Sequence, residues 1–390
     1  MEHAGGKGMR AFGILYWWIY NNTPHNAKDE MLGYLRYYWE SLRRKLQQGG
    51  KQQGGGAVDL EEVNAAIERG VKWLESTQRK DGSWGRLWEV WNTANAALAL
   101  AVVGAESDAL KKAVEFLLES QLESGGFFYE NFPASRADIR ERRDLYCIET
   151  TPVALMALYK YEGRITLEIR KGLHFLVERQ RACGGWELPY LGDPEVVNPK
   201  LNYFPSVTGY ALRALLIGDP PESVLERGLE FLERTQRRDG SWGRSRCYFN
   251  TEAYAIRNVV SVAATLEKRR LPKELKQRAR RLLERALSYA LRHQNADGSW
   301  SAISIATKEL ATALYLQSLL AAGVGGSAVF KAVDWLLKRQ QKGGFWSGGY
   351  YGRLMHPNLG YIDEVNNDVF TTSEVLVALD EFRSWVERVG

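Results

Sequence analysis

The sequence predicts an all-α protein built from six consecutive helical hairpins. One pattern occurs six times between Arg69 and Trp346: a basic residue and a small one, an aromatic residue, a glutamine, and a glycine followed by Trp or Phe. Repeats of this kind are typical of stacked helical pairs. The glutamines that mark the six units are Gln78, Gln121, Gln180, Gln236, Gln294 and Gln340.

Each unit predicts an amphipathic helix followed by a more apolar one. In "RGLEFLERTQRRDGSWG" (227–243), apolar residues recur at helical spacing and Gly240 is placed to end the helix. The second segments, such as "ELATALYLQSLLAAG" (309–323), are apolar on nearly every side and should be buried. Six outer and six inner helices can close into a ring or continue as an open superhelix. The periodicity favours neither.

Composition narrows the functional classes. A net charge of +5 over 390 residues gives no argument for nucleic-acid binding. Three cysteines, an odd number without paired spacing, predict a reducing compartment, and we expect a cytoplasmic protein. The longest apolar run, Ala11–Tyr20, is too short to span a membrane. It predicts a helix packed on the main domain or, as the alternative, peripheral membrane contact.

The repeated unit resembles the QW motif of the squalene–hopene and oxidosqualene cyclases, whose superfamily includes the β subunits of protein prenyltransferases. The resemblance covers about Val58 to the C-terminus and implies a single α6–α6 barrel, comparable to a lone β domain. It also implies that each glutamine amide ties one outer helix to the next. Residues 57–390 should form the barrel. Residues 1–56 should form an N-terminal helical extension followed by the flexible linker "QQGGKQQGGG".

The resemblance implies protonation-initiated cyclisation of a polyprenyl substrate. In the family the acid is the middle Asp of an Asp-x-Asp-Asp or Asp-x-Asp-Thr-Thr motif at the start of an inner helix. In the first unit, "VWNTANAALAL" has Asn92, Ala94 and Asn95 in place of the carboxylates. In the second unit, "CIETTPVALMAL" puts Glu149 at the donor position and Cys147 at the position of the first Asp.

Glu149 is therefore the predicted proton donor, and two alternatives remain. Glu252 and Glu309, which start later inner helices, are further candidates for the acid. Glu149 itself is also compatible with a structural role, as part of a helix cap or paired with Arg142 or Arg143, since a helix N-terminus stabilises the charged carboxylate.

Aromatic side chains near the inner-helix starts are expected to line a hydrophobic cavity, because their ring faces stabilise carbocations. Long loops, such as "WSGGYYGRLMHPNLGYIDEVNND" (346–368), are usually functional. The predicted substrate-binding residues are Trp91, Tyr146, Tyr203, Phe204, Tyr248, Tyr351 and Phe370.

Other activities fit the sequence less well. A zinc prenyltransferase would need His where Thr371 stands and an acidic residue two positions before Cys247. We expect no cofactor for protonation; a prenyl diphosphate substrate would be compatible with bound Mg²⁺. The leading alternative is a barrel that binds isoprenoids without catalysis, because the first unit lacks its carboxylates.

Overall fold

The computed structural model describes residues 58–85, 87–130, 146–187, 205–242, 252–302, 307–351, 354–356, 360–362 and 365–389. Residues Gly55–Gly390 form one compact unit. The predicted N-terminal extension, including Ala11–Tyr20, lies outside the described residues, so it stays a prediction. No described helix is long and apolar enough to cross a membrane.

Twelve described helices alternate between an outer and an inner layer, as the hairpin pattern predicts. The outer helices are α1 (Leu60–Thr77), α3 (Asp108–Ser120), α5 (Leu167–Glu178), α7 (Glu222–Thr235), α9 (Lys273–Arg292) and α11 (Ser327–Arg339). The inner helices are α2 (Glu89–Val102), α4 (Thr150–Glu162), α6 (Pro205–Leu215), α8 (Glu252–Lys268), α10 (Lys308–Ala321) and α12 (Asp368–Val389). The inner helices are buried on almost every side, as α10 illustrates between Glu309 and Leu320.

The inner helices form a closed ring. Each contacts the inner helix before it and the one after it, and the last, α12, packs against the first, α2. The outer layer closes in the same way, with α11 beside α1. The barrel predicted from the QW motif is therefore confirmed, and an open superhelix is excluded.

Two short antiparallel ribbons precede α12 and are the one departure from the all-α prediction within the described residues. Strand β1 (Tyr350–Tyr351) pairs with β4 (Val365–Asn366), and β2 (Leu354–His356) pairs with β3 (Gly360–Ile362). Both ribbons belong to the long loop that connects α11 to α12.

The repeated glutamines connect successive outer helices. Each amide Nε2 donates to the carbonyl of the glycine four residues later and to a backbone carbonyl of the next outer helix. The last glutamine, Gln340, donates to Gly344 at 2.8 Å and to Ala66 of α1 at 2.9 Å. This contact joins the last unit to the first.

The glycine and the aromatic residue of each loop also have defined partners. Gly344 has a φ of +95°, and a Cβ there would lie 2.5 Å from the carbonyl oxygen of Arg69, so a side chain does not fit. In five of the six loops the indole Nε1 of the tryptophan donates to the carbonyl ten residues earlier. That carbonyl belongs to the last turn of the outer helix. The second unit has no tryptophan. There, fully buried Phe127 takes the place of the indole.

A threonine of the following inner helix holds five of these six aromatic residues, all except Trp242. Its Oγ1 accepts a hydrogen bond from the aromatic residue's backbone N–H. The five pairs are Trp84–Thr93, Phe127–Thr151, Trp186–Thr208, Trp300–Thr312 and Trp346–Thr372. These bonds fix how five of the six inner helices are rotated about their own axes.

Candidate active site

The rotation of the inner helices determines which residues face the centre of the barrel. Two residues along an α-helix correspond to a turn of about 200°. The residue two positions before each loop-binding threonine therefore points away from the loop, towards the barrel axis. These positions hold Trp91, Glu149, Ser206, Leu310 and Phe370. We call them, together with Tyr254 of α8, the axial layer.

Aromatic rings of the axial layer meet across the barrel. The ring centroids of Trp91 and Phe370 are 5.4 Å apart, and those of Tyr254 and Phe370 are 5.8 Å apart. Tyr210, one turn below Ser206, lies 5.3 Å from Tyr254 and 6.3 Å from Trp91. These four residues come from four different inner helices. Two of the predicted substrate-binding residues, Trp91 and Phe370, are thus brought together.

Glu149 stands at the start of α4 with helical backbone angles, φ −85° and ψ −45°, so the helical register extends to it. Its side chain makes no capping hydrogen bond. Instead, the N–H of Thr150 donates to the Sγ of buried Cys147 at 3.4 Å. Capping is thus done by the cysteine that replaces the family's first Asp. Arg142 and Arg143, the other suggested partners, lie outside the described residues.

The Glu149 carboxylate interacts electrostatically with two buried tyrosines of the barrel. Burial raises the pKa of the Tyr254 hydroxyl well above its ordinary value, and the negative charges of Glu374 and Glu149 raise it further. The pKa of Tyr210 is raised by the same causes, against the opposing effect of Arg257. Glu149 therefore lies within electrostatic reach of both rings.

A buried ion pair lies below the aromatic rings. Arg257 of α8 donates through Nη2 to Glu374 Oε1 at 2.5 Å and to the Tyr210 hydroxyl at 2.9 Å. Gln317 of α10 donates to the other carboxylate oxygen of Glu374 at 2.8 Å. The guanidinium also lies 5.5 Å from the centre of the Tyr254 ring. Four inner helices are joined by this network, which forms the polar floor beneath the axial layer.

The other two acid candidates face the outer layer. Tyr289 of α9 donates to Glu252 Oε2, and Tyr289 stacks on His293 of the same helix. Arg339 of α11 donates to Glu309 Oε1 at 3.0 Å. Both carboxylates thus lie between an inner helix and an outer one.

The remaining predicted substrate-binding residues are only partly located. Tyr146 lies against α5, with its ring 5.3 Å from Phe175 and the Arg179 guanidinium 4.7 Å from its centre. The residues Tyr203, Phe204 and Tyr248 lie outside the described residues, and for Tyr351 only the backbone, in β1, is described.

Four residues of the axial layer, the aromatic cluster and the polar floor were not predicted from the sequence: Tyr210, Tyr254, Arg257 and Glu374. The usable signal was a polar residue within an otherwise apolar helix, since a buried charge requires a partner.

In the first unit, Asn92 and Asn95 bond to the carbonyls of Leu87 and Trp91. No group of three or more His, Cys, Asp and Glu side chains suited to a metal ion occurs within the described part of the chain.

Comparison with known proteins agrees with this architecture. The family model of the squalene-hopene cyclase C-terminal domain matches residues 53–196 and 214–384. The chain belongs to this family. The resemblance predicted from the QW motif is therefore confirmed, and the protein is class II terpene cyclase-like.

Two relatives and one solved structure of this cyclase family illustrate the match. Enfumafungin synthase of Hormonema carpetanum is 26% identical over 345 residues, covering 74% of the chain and 24% of that protein. Squalene–hopene cyclase of Alicyclobacillus acidocaldarius is 28% identical over 259 residues, covering 46% and 39%. The type II terpene cyclase MstE from Scytonema, in complex with geranylgeranyl dihydroxybenzoate, superposes with a TM-score of 0.63 at 18% identity, covering 84% and 99%.

The chain therefore spans well under half the length of these two curated relatives, whereas it matches nearly the whole of the MstE structure. At 18% identity the structural match establishes the fold. The activity of this chain is inferred from its own residues.

Proposed function

We propose that this chain is a class II terpene cyclase in which Glu149 protonates a carbon–carbon double bond of a polyprenyl substrate. The observation that carries the proposal is the register of α4. The same threonine contact that directs Trp91 and Phe370 to the barrel axis directs Glu149 there as well. A carboxyl group beside a cluster of aromatic rings is the combination that this chemistry needs.

The chemistry follows from these side chains. The neutral carboxyl group of Glu149 transfers its proton to one alkene carbon, and the alkene's π electrons form the new C–H bond. The positive charge left on the other carbon is stabilised by the ring faces of Trp91, Tyr254 and Phe370. Neighbouring double bonds then attack this cation and close rings. The cascade ends when a proton is lost to a base.

The substrate class rests on the relatives. The Scytonema structure carries a geranylgeranyl chain on an aromatic acid, and squalene is in the name of the bacterial relative. We propose a polyprenyl chain, free or as a diphosphate. Mg²⁺ would be needed only for a diphosphate, because proton transfer from a carboxyl group requires no metal.

The test is incubation of the purified protein with farnesyl diphosphate, geranylgeranyl diphosphate and squalene, with and without EDTA. We expect cyclic product from at least one substrate, and we expect squalene turnover to survive EDTA. Glu149→Gln keeps the shape of the side chain and removes its acidic proton, so turnover should fall about 10²- to 10⁴-fold.

The three acid candidates are compared by the same substitution. Glu252→Gln and Glu309→Gln alter carboxylates that bond to the outer layer. If one of these variants loses turnover while Glu149→Gln keeps it, the assignment of the donor is wrong. Saturable binding of the substrates without any turnover would instead favour an isoprenoid-binding barrel.

A further inference from the structure

A second recess lies at the opposite end of the barrel from Glu149. It is a cavity of about 260 Å³ between the C-terminal halves of five inner helices. Its polar lining comes mainly from Arg213 on α6, Ser261 and Lys268 on α8, and Glu381 on α12. We call it the basal pocket. The axial layer and the Arg257–Glu374 floor separate it from the predicted donor.

The basal pocket is rich in hydrogen-bond donors. Arg213 donates one bond to Asn258 at 2.9 Å, but a guanidinium has five N–H groups, so donors remain for a ligand. Lys268 is exposed at the rim and supplies a mobile ammonium group. Two positive charges on one small recess suit a doubly charged oxyanion.

The helix C-termini around the pocket would ordinarily repel an anion, because their carbonyl groups carry partial negative charge. At the end of α6 that charge is countered. Arg269 donates to the carbonyls of Leu216 and Gly218, the latter at 2.9 Å, and Asp219 completes its contacts at 3.2 Å. Arg269 thus offsets the partial negative charge of this helix end.

Glu381 is the one acidic side chain in the lining, and its environment holds it neutral. Its Oε2 is buried and has no hydrogen-bond partner among the described residues. Burial raises the pKa of Glu381 to about 8, with Arg257 opposing and Glu374 and Asp380 adding to the increase. The charged groups around it are Arg213 on α6, Arg257 and Lys268 on α8, and Glu374, Asp380 and Arg388 on α12.

From these contacts we infer that the basal pocket binds a small phosphate-bearing anion between Arg213 and Lys268, with the protonated Glu381 donating a hydrogen bond to it. Since a molecule of liquid water occupies about 30 Å³, the pocket has room for phosphate or a small phosphate ester. This site is separate from the one proposed for cyclisation. Its existence does not depend on that activity.

The inference predicts a distinctive pH dependence. Below about pH 8 the Glu381 carboxyl is protonated and acts as a donor. Above it the carboxylate repels the anion, which opposes the gain expected as phosphate itself becomes fully doubly charged. Glu381→Gln keeps a donor and cannot ionise. Between pH 7 and pH 9 the phosphate affinity of the native chain should therefore fall relative to that of Glu381→Gln.

The experiment is calorimetric titration of the full chain with inorganic phosphate at both pH values. Arg213→Met and Lys268→Met should each weaken binding at least tenfold at pH 7. Lys268 is exposed, so its variant should fold even if the Arg213 variant does not. Arg238→Met, which removes an exposed arginine of an outer loop, is the matched control and should bind as the native chain does.

Three results would overturn the inference. They are equal phosphate affinity in the Arg213, Lys268 and Arg238 variants, the same change of affinity with pH in Glu381→Gln as in the native chain, and displacement of phosphate by saturating squalene, which carries no phosphate. The last result would mean that the pocket belongs to the substrate site.

Discussion

The start of each inner helix has two sides that differ in how strictly the six units repeat. The side facing the loops carries the same parts nearly every time: a threonine, an aromatic residue, a glycine with positive φ and a glutamine that reaches the next unit. The side facing the axis holds Trp91, Glu149, Ser206, Leu310 and Phe370, which range from aromatic to acidic, hydroxyl-bearing and aliphatic. The residues that repeat in each unit form the scaffold, and the positions that differ between units are available for function.

The largest stability effect should come from the floor beneath the axial layer. Arg257→Met removes the guanidinium that neutralises Glu374, and breaking a buried ion pair costs about 3–5 kcal/mol of unfolding free energy. Urea unfolding would measure it. The double variant Arg257→Met/Glu374→Leu should recover most of the loss, because no buried charge remains. A double variant as unstable as the single one would contradict this view of the floor.

On the loop side, Gly344→Ala should be strongly destabilising. The new Cβ meets the Arg69 carbonyl oxygen at 2.5 Å, and φ is +95°, so we expect a loss of about 2–4 kcal/mol. Gly163→Ala is the matched control. Gly163 has a φ of +66° but nothing within 4 Å of its added Cβ, so it should lose about 1–2 kcal/mol. Equal losses in thermal unfolding would mean that close contact between units contributes nothing.

A smaller effect is expected from the glutamine that closes the ring. Gln340→Ala removes the bonds to Ala66 and Gly344 and should cost about 1–3 kcal/mol. Gln341→Ala, next in the chain, removes one exposed bond to the Arg339 carbonyl and should change stability by less than about 0.5 kcal/mol. Urea unfolding of the two variants compares them directly. If they are equally stable, the glutamine bridge is not a structural tie.

Much of the scaffold could be predicted from sequence because its determinants are local and repeated. The glycine, glutamine and tryptophan of each loop act within about ten residues or on the next unit, so six copies identify them. Phe127 could not be distinguished from Phe128 by pattern. The choice is made by the bond to Thr151, 24 residues later.

The site was less predictable because its contacts cross the barrel. Glu149 was found from its place in a known motif frame, whereas Glu374 and Arg257 are 117 residues apart and their pairing depends on the rotation of two helices. The lining of the basal pocket likewise comes from five helices with dissimilar C-terminal halves. The spacing of residues within one unit does not predict these contacts between units.

The central claim is that Glu149 starts the reaction by donating a proton, and reaction in D₂O tests it most directly. The carboxyl proton exchanges with solvent, so each cyclic product molecule should carry deuterium at the carbon protonated first, detectable by mass spectrometry and ²H NMR. Glu149→Gln should fold normally and form labelled product about 10²- to 10⁴-fold more slowly. Cyclic product without deuterium at that carbon, or labelled product made at the native rate by Glu149→Gln, would contradict the account.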